Sequence, residues 1–371
     1  MDRRAVFADL FGVRIDDVVS EERELRVGPR RYPVVDDVVI LLEPDQLSAD
    51  TRARLASAGR GRSADAPSQA PEKGASQEIA PSGEPASRPD FAADIQRSFG
   101  REWDAYREVL PEHEVELLRY FDLVDLKALG DKRLLDLGCG SGRWSVLLAG
   151  RGREVVLVDY SDAIFIAREN LRDRENCAFF LGDITRLPFR DRSADLAYSL
   201  GVLQTLPMPC LEVTRQLGRL ADELLIFVYY ALENRPVHWR AILAVVTTLR
   251  LGLSRLRNEP LRRRIVRAGA IGLYRPLIAL GDALNRVGGA HRRWGSNIPL
   301  WEAYHGMSTR RIEQDVYDRF FTGIEQRVTR AQIRELADVF DEVVISEGLP
   351  YWHFLCRGYR HTRSQRQVAA S

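Results

Sequence analysis

Between residues 133 and 230, short apolar runs alternate with stretches whose apolar positions recur at helical spacing. RLLDL (133–137), EVVLVD (154–159), CAFFLGD (177–183), ADLAYSL (194–200) and ELLIFVYY (223–230) read as strands, while DAIFIARENLRD (162–173) and the stretch around LEVTRQLGRLA read as helices. Strands this uniformly apolar are buried on both faces, so the alternation predicts an α/β fold with a parallel sheet covered by helices on either side. Right-handed crossovers make that sheet doubly wound, or Rossmann-like. The C-terminal pattern differs. TRAQIRELADVF (329–340) predicts a helix opened by Thr329, and DEVVISEG followed by PYWHFLCRGY predicts two strands joined across Gly348, Leu349 and Pro350. So short a connection forces antiparallel pairing. The sheet is therefore expected to close with an antiparallel hairpin over 329–360.

Other segments flank this 91–230 core. Residues 1–58 contain short β-rich runs broken at Gly28-Pro29 and Asp36-Asp37, which predict a small hairpin-based module. Residues 59–90 are dense in Pro, Gly, Ala and Ser and hold one aliphatic residue larger than alanine, Ile79. Such a stretch cannot offset its own ordering entropy and reads as a flexible linker. Residues 231–328 have no counterpart in a minimal doubly wound fold and read as an inserted helical cap. Its blocks AILAVVTTL and LIAL fall short of the roughly 18 apolar residues that a membrane span requires. Residues 361–371 read as a disordered tail.

Composition narrows the function classes. In 371 residues, 54 Lys and Arg face 53 Asp and Glu, a net charge of +1 that gives no overall case for nucleic-acid binding. The four cysteines lack metal-ligand spacing and nothing resembles a secretory signal, so a cytoplasmic protein without a metal site is expected. Charge is concentrated locally: residues 231–300 carry thirteen arginines against Glu233, Glu259 and Asp282.

The chemistry gathers at strand ends. LLDLGCGSGRWS places Gly138, Gly140 and Gly142 where a strand runs into a helix. A dinucleotide fingerprint needs its third glycine at 143, which is arginine, but backbone N–H groups at a helix start still suit a carboxylate. Asp136, ending the same strand, suits an ammonium group, so the pair matches the two charged ends of an amino acid. Asp159 ends the next strand at the offset where an acid accepts from a ribose diol. Asp183 ends the third and can take a donor from an adenine amino group, with Ile184 packing on the ring.

LLDLGCGSG, VVLVDYS, FFLGDITRLPF and ADLAYSLGVLQTLP resemble, in order and spacing, the cofactor-contacting segments of class I S-adenosylmethionine (SAM) methyltransferases. The resemblance implies SAM as cofactor, with Asp136 and the Gly138–Gly142 loop on its methionine part, Asp159 on its ribose, Asp183 and Ile184 on its adenine, and Tyr160 flanking the adenosine. RRYPVVDDVVILLEP also resembles half of a Trm112-like zinc-ribbon module, but residues 1–58 contain no cysteine, which excludes the zinc site.

The acceptor is less legible. No Asn/Asp-Pro-Pro-aromatic tetrapeptide follows the fourth strand. SLGVLQTLP resembles the small-molecule branch of the family, with Gln204 and Thr205 where paired histidines usually stand. The expected activity is methylation of a small molecule in bacterial natural-product or glycan biosynthesis, with a lipid or quinone acceptor at a membrane surface, or a non-catalytic SAM-binding scaffold, as alternatives. The cap supplies candidates in WEAYHGMSTRR (Tyr304, His305) and DVYDRFF (Tyr317, Asp318, Arg319), of which Tyr317, Asp318 and His305 are the expected catalytic residues. Its arginines suit an anionic acceptor. They also leave peripheral membrane contact open, and the oligomeric state is not readable. Phe99, Trp103 and Tyr106 share one helical face, expected to pack against the sheet, with a lid over the cofactor pocket as the alternative.

Overall fold

Successive residues of the central strands fall into different cores. Leu135, Leu137, Val156, Val158, Ala178 and Phe180 belong to one apolar cluster, while Leu134, Val155, Leu157, Cys177, Phe179 and Leu181 belong to another. A pleated strand alternates its side chains between faces, so two cores mean a sheet covered on both sides. The computed structural model describes residues 2–60, 103, 105–235, 237–256, 258–288, 295 and 298–360. Most of the expected linker, the expected tail and Phe99 lie outside them.

Among the described residues, eleven strands form one sheet: β1 (Val18–Ser20), β2 (Glu24–Val27), β3 (Arg30–Val35), β4 (Val38–Ile40), β5 (Arg133–Leu137), β6 (Glu154–Asp159), β7 (Cys177–Leu181), β8 (Ala194–Leu200), β9 (Ala221–Phe227), β10 (Phe340–Ile345) and β11 (Phe354–Tyr359). Their order is β1-β2-β3-β4-β7-β6-β5-β8-β9-β11-β10. From β7 to β9 neighbours are parallel. β11 runs antiparallel to both β9 and β10. The connection between β10 and β11 occupies residues 346–353 and is longer than the sequence pattern implies, because Trp352 takes a left-handed conformation (φ 62°) and His353 turns inward to Asp122 (Nε2 to Oδ1, 2.6 Å). From β5 the chain winds outward to β6 and β7, then returns to β8 on the other side. That reversal opens a crevice at the carboxyl ends of β5 and β8, where doubly wound sheets bind ligands.

Residues 2–60 do not stand apart as the sequence pattern suggests. β4 pairs in parallel with β7, Val38 opposite Phe179, so the N-terminal strands extend the central sheet. The helix Arg3–Phe11, capped by the Asp2 carboxylate, buries Phe7 and Leu10 in the core beneath it. Phe7 meets Phe180 edge-on at 5.9 Å between ring centroids. Polar ties reinforce the junction: Ser48 and Thr51 both donate to the Asp162 carboxylate, each at 2.6 Å. The helix Ala49–Arg60 also runs into the stretch expected to be linker.

The cap is helical, comprising Val237–Leu253, Glu259–Gly269, a π-turn at Ala270–Tyr274, Arg275–Gly288, Trp301–Tyr304 and Thr309–Phe321. It has a core of its own in which Ile312, Val316, Tyr317 and Phe321 pack with Val266, Tyr274 and Tyr106. Tyr106 therefore belongs to the cap and not, as expected, to a face packed on the sheet.

Candidate functional site

A cavity of about 880 Å³ lies over the carboxyl ends of β5, β6 and β8. Gly138, Gly140, Asp159, Asp183, Ile184 and Gly201 line it from the sheet, and Tyr304, Met307, Arg311, Asp315, Asp318 and Arg319 line it from the cap.

The glycine loop is held by its neighbours. The N–H groups of Gly138 and Cys139 both donate to the Val158 carbonyl, at 2.8 and 3.1 Å, and the Gly140 N–H donates to Asp159 Oδ2 at 2.8 Å. All three glycines have positive φ, which side chains resist. A Cβ on Gly140 would lie 2.6 Å from the Trp103 ring, and one on Gly142 would lie 2.9 Å from Ala167 Cβ. The close approach that these glycines permit is thus made in part by the protein itself. Gly142 is not among the cavity-lining residues; it caps the helix Arg143–Leu148. Trp103 does line the cavity, with the Arg143 guanidinium 5.0 Å from its ring centroid.

The three acids at the strand tips have different surroundings. Asp159 Oδ1 accepts from the Ser161 N–H and hydroxyl at 2.8 and 2.7 Å, which leaves one acceptor position on Oδ2 beside Gly140. Burial pushes its carboxyl upward against those hydrogen bonds. Asp183 Oδ1 accepts from the Thr185 N–H and hydroxyl at 2.8 and 2.7 Å, while Oδ2 has no donor among the described residues. Tyr160 and Ile184 flank these acceptors in the cavity wall. Asp136 corrects the expectation placed on it. It does not line the cavity; its Oδ2 accepts from Ser145 at 2.7 Å, and Ser145 meets the Tyr198 hydroxyl at 2.8 Å. Full burial pushes this carboxyl up to about 7 against the hydrogen bonds from Ser145 and Tyr198. A carboxyl so placed ties β5 to Ser145 and, through it, to Tyr198 of β8 beneath the loop.

Of the expected catalytic residues Tyr317, Asp318 and His305, only Asp318 lines the cavity. Tyr229 donates to its Oδ2 at 3.1 Å, and burial together with the Asp315 charge pushes it up to about 6, against that hydrogen bond and the Arg143 and Arg319 charges. Tyr317 is turned into the cap core, where its hydroxyl donates to Glu259 Oε2 at 2.9 Å and its ring meets Tyr106 edge-on. His305 is exposed and stacked on Trp301 at 4.2 Å, and does not line the cavity. Gln204, at one of the positions where the resemblance leads one to expect histidine, is sealed in the wall, whereas Thr205 lines the cavity.

The sequence reading missed a polar network on the same helix. Arg311 clasps Glu116 (Nη2 to Oε1, 2.9 Å) and also bonds Asp315, whose Oδ2 accepts from Tyr304 at 2.6 Å. The Arg311 charge holds Asp315 well below the usual carboxylate range despite burial. Residues 311, 315 and 319 follow one another at spacings of four, and 318 lies three beyond 315, so the four fall within one side of the helix. That polar stripe is the signal that could have identified the cavity wall.

Residues 134–222 match the family described as Methyltransferase domain. A demethylmenaquinone methyltransferase of Beutenbergia cavernae is 36% identical over 138 residues, which cover 36% of this chain and 57% of that protein. A ubiquinone biosynthesis O-methyltransferase of Hahella chejuensis is 44% identical over 63 residues, covering 17% of this chain and 26% of that protein. The chain thus spans between a quarter and somewhat over half the length of these relatives. A solved structure of Haemonchus contortus phosphoethanolamine N-methyltransferase 1, with phosphoethanolamine and S-adenosylhomocysteine, is 23% identical over 37% of this chain and 32% of that one, with a TM-score of 0.28.

Proposed function

With SAM as the cofactor of the methyltransferase domain over residues 134–222, we propose that the protein transfers its methyl group to a small-molecule acceptor held between the strand tips and the cap, in natural-product or glycan biosynthesis. The observation that carries this reading is one cavity bounded on one side by Gly138, Gly140, Asp159, Tyr160, Asp183 and Ile184 and on the other by Asp318 and Arg319. The donor set fits the cofactor: Asp159 and Asp183 retain acceptor positions for ribose and adenine donors, and Tyr160 and Ile184 supply walls for the base.

Held by the Gly138–Gly140 loop, Asp159 and Asp183, SAM would supply a sulfonium methyl group with a neutral thioether as its leaving group. The protein's part is mostly alignment, which for an in-line displacement can account for most of the acceleration. Asp318 accepts the proton that a hydroxyl acceptor must lose, and Tyr229 orients its carboxylate. The Glu116–Arg311–Asp315 network keeps the helix face rigid behind it. Incubation of the full chain with methyl-labelled SAM and hydroxylated aromatic acids, sugar acids and quinols tests this reading. Label in a small-molecule product supports it; label in none of these classes counts against it.

A second reading, a quinone-type acceptor taken from a membrane surface, is favoured by the names of the relatives and by exposed apolar side chains on the arginine-rich cap, among them Val245, Leu249, Leu273, Leu280 and Val287. Among the described residues no helix is long and apolar enough to cross a membrane. Flotation with anionic vesicles decides: protein that stays at the bottom of the gradient excludes this second reading.

A further inference from the structure

We infer that Arg319 anchors an oxyanion on the methyl acceptor, which makes the acceptor an anionic compound bearing a carboxylate or phosphate and presenting its nucleophile to Asp318. The inference rests on the methyltransferase reading above and narrows its substrate class.

Arg319 lies on the cavity wall next in sequence to Asp318. Its guanidinium carbon is 5.9 Å from the Tyr229 ring centroid and 5.8 Å from that of Tyr304. Two aromatic faces hold the cation in place without using its N–H donors, of which a guanidinium has five. Among the described residues none of those donors has a hydrogen-bond acceptor, and no carboxylate lies within ion-pair distance. Three neighbouring cations are treated differently. Arg311 is committed to Glu116 and Asp315, Arg327 to Glu325 and the Tyr230 carbonyl, and Arg250 to the Thr322 carbonyl and Glu325. The nearby acids have partners too, Asp315 in Arg311 and Tyr304, and Asp318 in Tyr229.

Asp315 and Asp318 feel the Arg319 charge from beyond ion-pair distance and help to keep it ionised in this buried place, yet its N–H fork stays open to a ligand. The planar fork suits two oxygens of one carboxylate or phosphate. Arg143 also lines the cavity and its charge too reaches Asp318, but it follows Gly142 in the glycine loop and lies over the Trp103 and Trp144 rings, on the sheet side of the cavity. Arg319 stands at the acceptor end, beside the carboxylate that receives the proton.

Calorimetry on the full chain tests the inference. S-adenosylhomocysteine is titrated first, without any probe; if it does not bind, the methyltransferase reading itself fails and the inference fails with it. With that compound saturating, 4-hydroxybenzoate, phenyl phosphate and phenol are then compared. The wild type is expected to bind at least one of the two anions about tenfold or more tightly than phenol, the gain a bidentate charged pair supplies. Arg319→Met should abolish that preference while leaving S-adenosylhomocysteine affinity and the melting temperature undiminished, and Arg319→Lys should keep part of the preference. Equal binding of phenol and both anions, binding of none of them, a preference that survives Arg319→Met, or loss of S-adenosylhomocysteine affinity or of melting temperature in that variant overturns it.

Discussion

Gly140 donates its backbone N–H to the Asp159 carboxylate at 2.8 Å, so the glycine loop after β5 and the tip of β6 are one unit. The acid proposed to hold a ribose therefore also sets the conformation of the loop proposed to hold the methionine part. Loss of either disturbs both ends of the cofactor site.

The loop glycines tolerate no side chain. Gly142 has φ +73°, and an added Cβ would meet Ala167 Cβ at 2.9 Å. Gly142→Ala should destabilise the fold by about 1–3 kcal/mol, combining left-handed strain with overpacking, as read from urea unfolding.

Asp136 gives a pH signature in stability. Its carboxyl, pushed up to about 7, is favoured in the protonated form by the folded state. That contribution is complete below the unfolded value of about 4 and is lost as pH rises through 7. Asp136→Asn should flatten this part of the stability profile and be at least as stable as the wild type at pH 8. Unfolding curves at a series of pH values check it.

Asp318 gives a different signature, in turnover. A proton acceptor pushed up to about 6 works in its ionised form, so the rate should rise with pH through that value and level off above it. Asp318→Asn should remove this limb and lower kcat by about 10²-fold or more, the usual contribution of a positioned base. A pH–rate profile with the labelled product measures both.

Tyr317 separates structure from chemistry. Its hydroxyl serves Glu259 within the cap core, so Tyr317→Phe should cost about 0.5–1.5 kcal/mol of stability and leave kcat unchanged. Unfolding and turnover measurements on the same preparation read the two effects.

The strand tips were legible in the sequence because strand, loop and helix follow one another there: Asp159, which ends β6, and Asp183, two residues past β7, stand at the cavity by local geometry alone. Asp136 obeys the same local rule, yet its side chain points into Ser145 and Tyr198, a choice made by packing across the sheet. On the helix Thr309–Phe321 adjacent residues part company, Tyr317 toward the cap core and Asp318 toward the cavity. Which side is which depends on how that helix docks. The union of β4 with β7 joins residues some 140 positions apart, Val38 and Phe179, and no local pattern encodes it.

The tips of β5, β6 and β7 are proposed to form one binding site for SAM. Titration calorimetry of S-adenosylhomocysteine into the full chain tests it most directly. Saturable one-to-one binding in the wild type, weakened by about 1–3 kcal/mol in Asp159→Ala through lost hydrogen bonds, is the predicted result. No binding, or an affinity indifferent to that substitution, would contradict it.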